Sequence, residues 1–421
     1  MMGPGPARTD MPIMVRSFDA EVAVVGGGPV GLVAALLLAR DGVPVVLVEK
    51  SPEVEIDLRA STFHPPTLDM LERLDLARVL TGQGLISPQW QVRLHPDGDR
   101  VVFDLGVLAN ATAHPYRVQC EQWKLSRAAH ATLIAEPRAT VMFGAEVTDL
   151  TQDDDGVTLE VSGPVGASSL RTRYVIGADG ARSTVRRALG LDFEGETYPE
   201  TTLLVTTTFP FEQHLEGLTN IAYCWKAAGN FSLLRVPGRW RVSIYPREDQ
   251  PIEDQLTEPA IEAQLQTIVP RREAYDVLEK RPYRVHKRIV AHYHRGRVAL
   301  AGDAAHVNSP AGGMGLNGGL HDALSLTSRL IKVWHGQADD RELDGYEAQR
   351  KPEAVNAINA MTARNKKLLE ERDPEVRRKT LEEWARIGAD PQLAYQHLLQ
   401  TSMIASLRRS GMLPRPPSRG A

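Results

Sequence analysis

Cysteine is almost absent from this chain. Cys120 and Cys224 are the only two in 421 residues, and neither belongs to a CxxC pair. That argues against a zinc ribbon or a disulfide-stapled scaffold and suits a reducing, cytoplasmic compartment. Long apolar runs are missing as well: no stretch reaches the ~18 residues that span a membrane. The opening MMGPGPARTDMPIMVRS lacks the apolar core of a signal peptide and reads as a disordered leader, as LPRPPSRGA reads as a loose tail. Neither sign of charge dominates; a net charge of −4 speaks against a general nucleic-acid binder. The twelve histidines show no metal-ligand spacing, and His292-x-His294 alternates with Tyr293 as in a strand. No internal repeat is evident. What remains is an ordinary globular composition, 42% hydrophobic and 24% charged, long enough for one large domain or two to three intertwined ones.

Strand–helix alternation fills that length. EVAVVG at 21–26 is a short buried-strand run, VGLVAALLLARDG is apolar on nearly every side like a buried helix, and VPVVLVEK at 43–50 is another buried strand. This βαβ unit predicts a parallel sheet with a right-handed crossover. RYVIGADG at 173–180 and RVALAGD at 297–303 repeat the buried-strand pattern, and AEVTDL with GVTLEV predicts a hairpin around DDDG. Between them the character changes. QWQVRLH and RVVFDL alternate like antiparallel strands, and TTLLVTTTF, NIAYCWK, FSLLRV and RWRVSIYP predict an antiparallel sheet with one covered face. After 313 the chain reads helical, with Leu320, Ala323, Leu324, Leu330, Ile331 and Trp334 on one face.

Three glycine motifs end strands of the parallel set. Gly26-Gly27-Gly28-Pro29-Val30-Gly31 supplies G-x-G-x-x-G between a strand and a helix: a tight turn, room for backbone at a pyrophosphate, and close packing of helix on strand. The helix N-terminus then turns its positive end to the phosphates. Glu49, 18 residues after Gly31, is placed to accept ribose hydroxyls, with Lys50 beside it. The second motif is Gly177-Ala178-Asp179-Gly180-Ala181-Arg182. The third runs Gly302-Asp303-Ala304-Ala305-His306 and on to Gly312-Gly313-Met314-Gly315-Leu316-Asn317.

In this order and spacing, over roughly residues 20–350, the three motifs resemble those of the single-component flavoprotein aromatic hydroxylases, the para-hydroxybenzoate hydroxylase family. The resemblance implies FAD, with Asp303 on the ribityl hydroxyls and Gly313, Gly315, Leu316 and Asn317 at the isoalloxazine ring. It also implies that Asp179 and Gly180 meet FAD, that Asp179 and Arg182 meet the nicotinamide cofactor, and that Arg59 and Gln119 are cofactor contacts. His306 is expected to order the flavin loop rather than act as a base. Met314 departs from the family pattern, where glutamine is common, and is expected to alter contacts around the ring.

The chemistry so implied takes a hydride from NADPH or NADH, adds O2 to form a flavin C4a-hydroperoxide, and hydroxylates a phenol or heteroaromatic ring. His64, Tyr223, Arg235 and Tyr245 are candidates for the substrate pocket; the sequence names no substrate-activating base. Three alternatives stay open: a flavin oxidoreductase that inserts no oxygen, a halogenase, although WRVSIYP at 240–246 does not match the WxWxIP segment usual there, and a non-catalytic flavin binder.

The fold class expected is α/β: a Rossmann-like FAD domain from 20–84, 118–194 and 293–345, with an inserted α+β substrate domain from 85–117 and 195–292. A leader at 1–19, C-terminal helices at 346–412 and a tail at 413–421 complete the expectation, as a cytoplasmic monomer or homodimer without nucleic-acid or stable membrane association.

Overall fold

In the computed structural model, which describes residues 19–56, 60–164, 166–226, 229–245, 250–309, 312–358 and 371–414, the run EVAVVG becomes strand Ala20–Val25 with every residue buried. The expected leader lies outside the described residues except Asp19, as do Arg59, Pro310 and the tail from 415 on.

Strand Ala20–Val25 is flanked in parallel by Gly166–Gly177 and Val45–Glu49; Val298–Leu300 and Ala139–Phe143 extend the parallel set on either side. The helix Pro29–Arg40 crosses over this sheet with residues 31–39 all buried, which is why its sequence is apolar all round. The hairpin Glu146–Gln152 and Val157–Gly163 pairs antiparallel onto Gly166–Gly177, as the DDDG turn predicts.

A second sheet of eight strands runs in the order 306–307, 277–290, 193–207, 239–244, 231–236, 221–225, 89–94, 100–104. The four strands predicted between 201 and 246 pair antiparallel throughout. A parallel pair, Ile221–Trp225 with Gln89–Leu94, joins them to the earlier antiparallel pair. Alternation gives this sheet two distinct faces. One carries Val205, Ala222, Cys224, Leu233, Trp240 and Val242, covered by Ile261, Leu265 and Tyr275. The other carries Trp90, Val92, Ile221, Tyr223 and Trp225, covered in part by Leu381, Trp384 and Leu398 of the C-terminal helices Pro374–Ala389 and Pro391–Thr401.

A third, three-stranded sheet sits between the two: Arg117–Gln119 pairs with both Thr62–Phe63 and Leu85–Ser87. The glycine motif at 302–317 spans the same junction. It leaves the first sheet at Leu300 and joins the edge of the second at His306–Val307, with Ile289 opposite His306. The long helix Met314–Trp334 then buries Leu320, Ala323, Leu324 and Leu330, whereas Trp334, expected on that face, is 39% exposed because the last turn runs past the core. No described helix is long and apolar enough to cross a membrane.

Candidate active site

The first glycine turn divides its labour residue by residue. Gly26 has φ +111°, and a Cβ there would lie 2.4 Å from the Ala178 carbonyl oxygen, so it is fixed by the crossing of two strand ends. A Cβ on Gly31 would lie 2.0 Å from the Gly26 oxygen, so this third glycine packs the helix onto the turn itself. Gly28 is different: a Cβ there meets nothing within 4 Å. It is the N-cap of helix Pro29–Arg40 and offers no side-chain cap, so the helix start presents its positive end and uncapped N–H groups on an open side. Val30 packs against Gly302 and Gly319, which locks this turn to the third motif.

Glu49 accepts hydrogen bonds from the Gly27 and Ser51 backbone N–H groups, the latter at 2.7 Å. These fix its carboxylate beside the turn and leave lone pairs for hydroxyl donors. Lys50 is exposed. Asp303 is exposed in a short 3-10 turn at the end of Val298–Leu300. An uncapped helix start, an open glycine and two carboxylates at strand ends suit an extended, phosphate-containing, hydroxyl-rich ligand.

Asp179 is tied to structure: its Oδ2 accepts from the Thr184 and Val185 N–H groups at 2.7 and 3.1 Å and so caps helix Thr184–Ala188. Its other oxygen is buried without a partner. Gly180 has φ +77° and Arg182 is exposed. Arg186 bridges the second and third motifs, donating to the Ala181 oxygen at 2.8 Å and the Ala304 oxygen at 3.0 Å.

Around the turn at 312–313, residues that the sequence offered as ligand contacts hold one another. Asn317 donates to the Thr62 and Gly313 carbonyls at 2.9 and 2.7 Å and accepts from the His64 N–H at 2.9 Å. Gln119 exchanges hydrogen bonds with the Thr62 hydroxyl at 3.0 and 3.2 Å and is fully buried. The His64 ring contacts the Gly312 carbonyl through Nε2 at 2.9 Å. A carbonyl only accepts, so Nε2 carries the proton and Nδ1, which has no partner, is a bare acceptor. Burial, with Arg117 nearby, pushes the His64 pKa well below the usual histidine range and keeps the ring neutral. Gly312 and Gly313 have φ +91° and +70°, and this turn caps the helix Met314–Trp334 without any side chain. Gly315 and Leu316 occupy the first turn of that helix.

Beneath this turn lies a buried charge network that the sequence did not reveal. Asp322 accepts from His306 Nε2 at 2.7 Å, Arg350 Nε at 2.7 Å and the Gly302 N–H at 3.1 Å. Burial works to raise its pKa, but His306 and Arg350 hold it down, to about 2. His306 thus ties strand 306–307 to the long helix. Met314 is only 1% exposed and packs with Met403 and Leu407. Its packing partners lie in the C-terminal segment.

The pocket candidates separate. Arg235 lies on the face opposite Tyr223; it pairs with Glu212 at 2.7 Å, and Trp240 donates to the same carboxylate, which removes it from that side. Tyr245 is half-buried just beyond strand Arg239–Ile244. Tyr223 is hydrogen-bonded to Arg117, whose guanidinium also stands 5.5 Å over the Trp90 ring. Arg241, absent from the sequence candidates, is 4% exposed and donates to Ser61 at 2.8 Å. Both cysteine thiols are pushed up to about 12, chiefly by burial, and are inert. Among the described residues no group of three or more metal-ligating side chains stands together.

Comparison with known proteins agrees with this geometry. A family model described as "FAD binding domain" matches residues 19–361. The chain is 33% identical over 391 residues to a para-nitrophenol 4-monooxygenase of Pseudomonas sp. (strain WBC-3), covering 92% of this chain and 96% of the relative. It is 32% identical over 359 residues to 6-hydroxy-3-succinoylpyridine 3-monooxygenase of Pseudomonas putida (strain DSM 28022 / S16), covering 85% and 91%. The crystal structure of p-nitrophenol 4-monooxygenase from Pseudomonas putida DLL-E4 superposes with a TM-score of 0.85 at 33% identity, over 92% of this chain and 98% of the other.

Proposed function

This chain belongs to the family of FAD-dependent aromatic hydroxylases, and from that premise we propose how its own residues carry out NAD(P)H- and O2-dependent hydroxylation of a phenolic or related heteroaromatic ring. The observation that supports the assignment of roles is the junction at 312–317. There an uncapped helix start and two left-handed glycines follow the edge strand His306–Val307 of the second sheet, and the Gly312 carbonyl is held by the His64 ring, which has Arg117 nearby.

In this reading Gly26, Gly28, Pro29, Val30 and Gly31 cradle the pyrophosphate at the helix start, Glu49 takes the adenosine ribose with Lys50 beside it, and Asp303 takes the ribityl chain. The fit rests on the open side of Gly28 and the exposed Asp303 carboxylate. Gly313, Gly315, Leu316 and Asn317 border the ring, and the helix N-terminus stabilises charge gathering there. When bound, FAD supplies hydride acceptance and oxygen activation. Gln119, Thr62, Asn317 and His64 act by holding the 312–317 turn in one conformation. Asp179 and Gly180 shape the second motif, and exposed Arg182 meets the nicotinamide cofactor. Arg59 remains part of the proposed cofactor set but lies outside the described residues. The second sheet, closed by the C-terminal helices, keeps water from the ring. The division into a cofactor domain and a substrate domain follows the two large sheets. A cytoplasmic monomer or homodimer completes the reading.

The test is direct. The purified protein should carry flavin and oxidise NADH or NADPH faster when a suitable phenol is present, and the product should gain one oxygen atom by mass. Halide incorporation, or turnover that needs no oxygen, would sink the reading.

A further inference from the structure

We infer that Met70 and Met412, beside the buried Met314 and Met403, form a modification site: hydrogen peroxide converts them to sulfoxides, and the oxidised cluster releases the C-terminal segment 403–413 from the start of helix Met314–Trp334. The source of the peroxide rests on the hydroxylase reading above; the site itself does not.

The sequence holds ten methionines, and four of them precede residue 15. Of the other six, Met361 lies outside the described residues, and Met142 sits on strand Ala139–Phe143 at one edge of the first sheet. The remaining four gather in one place. Met314 and Met403, 1% and 2% exposed, pack with Leu407, and the half-buried Met70 and Met412 pack against them. Met70 lies on helix Pro65–Glu72, whose N-cap, His64, holds the Gly312 carbonyl. Met314 is the first residue of the long helix. The cluster therefore borders the turn to which the flavin ring is assigned.

The C-terminal segment is attached on two sides. Met403, at φ +67°, turns the chain from helix Pro391–Thr401 into the short helix Ile404–Arg409. Gly411, at φ +76°, folds it back, so that the Met412 N–H donates to the Leu407 carbonyl at 2.9 Å. Ile404 and Leu413 pack with the cover of the second sheet. Toward the long helix the contacts are the methionine cluster, Gln349 donating to the Ser410 carbonyl at 2.8 Å, and Arg350 Nη1 at 3.4 Å from the Met412 sulfur. Thioethers thus make up much of the grip on that side.

Reduced nicotinamide and O2 that meet without a ring to oxidise yield hydrogen peroxide, as two electrons and two protons pass to O2. A thioether sulfur then attacks one peroxide oxygen. The S–O bond forms, the O–O bond breaks, the sulfur gives up two electrons, and the second oxygen leaves as water. Susceptibility follows exposure, so Met70 and Met412 react before Met314 and Met403. At Met412 the Arg350 guanidinium can donate to the new oxygen, which favours the product there. Against Met314, Met403 and Leu407 the same oxygen meets apolar surface, so the packing that holds the segment is lost. Leucine fills such a space without this sensitivity.

The test treats the FAD-loaded protein with hydrogen peroxide and weighs its peptides. Met70 and Met412 should each gain one oxygen atom before Met314 and Met403 do. Trypsin cleavage after Arg408 and Arg409, inside helix Ile404–Arg409, should then run about fivefold faster or more, and FAD should dissociate faster. Methionine sulfoxide reductase with a thiol reductant should reverse both changes. The double variant Met70→Leu, Met412→Leu should show neither change after peroxide, whereas Met142→Leu, at a half-buried methionine away from the cluster, should show both. Met412→Gln, which places a polar amide at the cluster, should speed cleavage without peroxide. Oxidation that spares Met70 and Met412, an oxidised protein cleaved at the native rate, or a double leucine variant that stays sensitive overturns the inference. The hydroxylase reading fails separately, by the absence of an oxygenated product, because added peroxide tests the site whatever the enzyme turns over.

Discussion

Two buried clusters flank the 312–317 turn, and they differ in how their charge is settled. Below it, one carboxylate, Asp322, is shared by His306, Arg350 and the Gly302 backbone, so both of its oxygens are used and its charge is opposed. Above it, Arg117 has a tyrosine, a distant carbonyl and no carboxylate among the described residues. The first arrangement is architecture: it joins the third glycine motif, the long helix and the helix Glu342–Pro352 into one body. The second leaves a buried cation unopposed. The first glycine turn repeats the contrast on a smaller scale, with Gly26 filled by the fold and Gly28 left open by it.

The largest effect should come from the closed cluster. Asp322→Ala leaves Arg350 buried and unpaired, and should cost about 3–5 kcal/mol in urea unfolding, with loss of flavin on purification. A loss below ~1 kcal/mol would mean that the network is not structural. Next, Gly26→Ala forces a Cβ against the Ala178 carbonyl at positive φ and should cost about 1–3 kcal/mol or prevent folding. Gly28→Ala should leave apo stability within ~1 kcal/mol while weakening FAD measurably in a fluorescence titration. If both glycine variants behave alike, the division between filled and open positions is wrong.

A third prediction concerns pH. His321, packed under the turn against Thr67, has its pKa pushed down to about 3, first by burial and then by Arg350. The unfolded chain takes up its proton below ~6.5 and the folded chain does not, so its contribution is intact above ~6.5 and is lost as pH falls toward about 3. His321→Gln should flatten the stability–pH curve by up to about 1.4 kcal/mol per unit in that window. An unchanged slope would place the proton elsewhere. The smallest change in stability is expected at the open cluster: Arg117→Met should alter unfolding free energy by ~1 kcal/mol or less, or raise it, because an unbalanced buried charge is removed. A loss as large as that of Asp322→Ala would turn Arg117 into part of the scaffold.

The sequence carried much of this layout, and the reasons are local. The parallel strands and the glycine turns are continuous segments, each legible from its own periodicity. The third sheet was not legible: its strands are two or three residues long and come from residues 62–63, 85–87 and 117–119, too short for a pattern and too far apart to suggest pairing. Arg117 was hidden with it. Arg235 and Arg241 fall on opposite faces of the second sheet, and alternation defines two faces of a strand without saying which one turns toward Ser61 and the third sheet. Asp322 and Arg350 read as polar helix positions, since their pairing needs two helices packed together. Met314 became intelligible only once Met403 and Leu407, some ninety residues later, were seen against it.

One measurement reaches the central claim most directly. The FAD-loaded protein, given NADH or NADPH and a turned-over phenol under isotopically labelled dioxygen, should yield a ring product carrying one labelled oxygen atom, with reduced nicotinamide consumed in step. A product whose new oxygen comes from water, or consumption of nicotinamide with no labelled product from any phenol offered, would contradict the account.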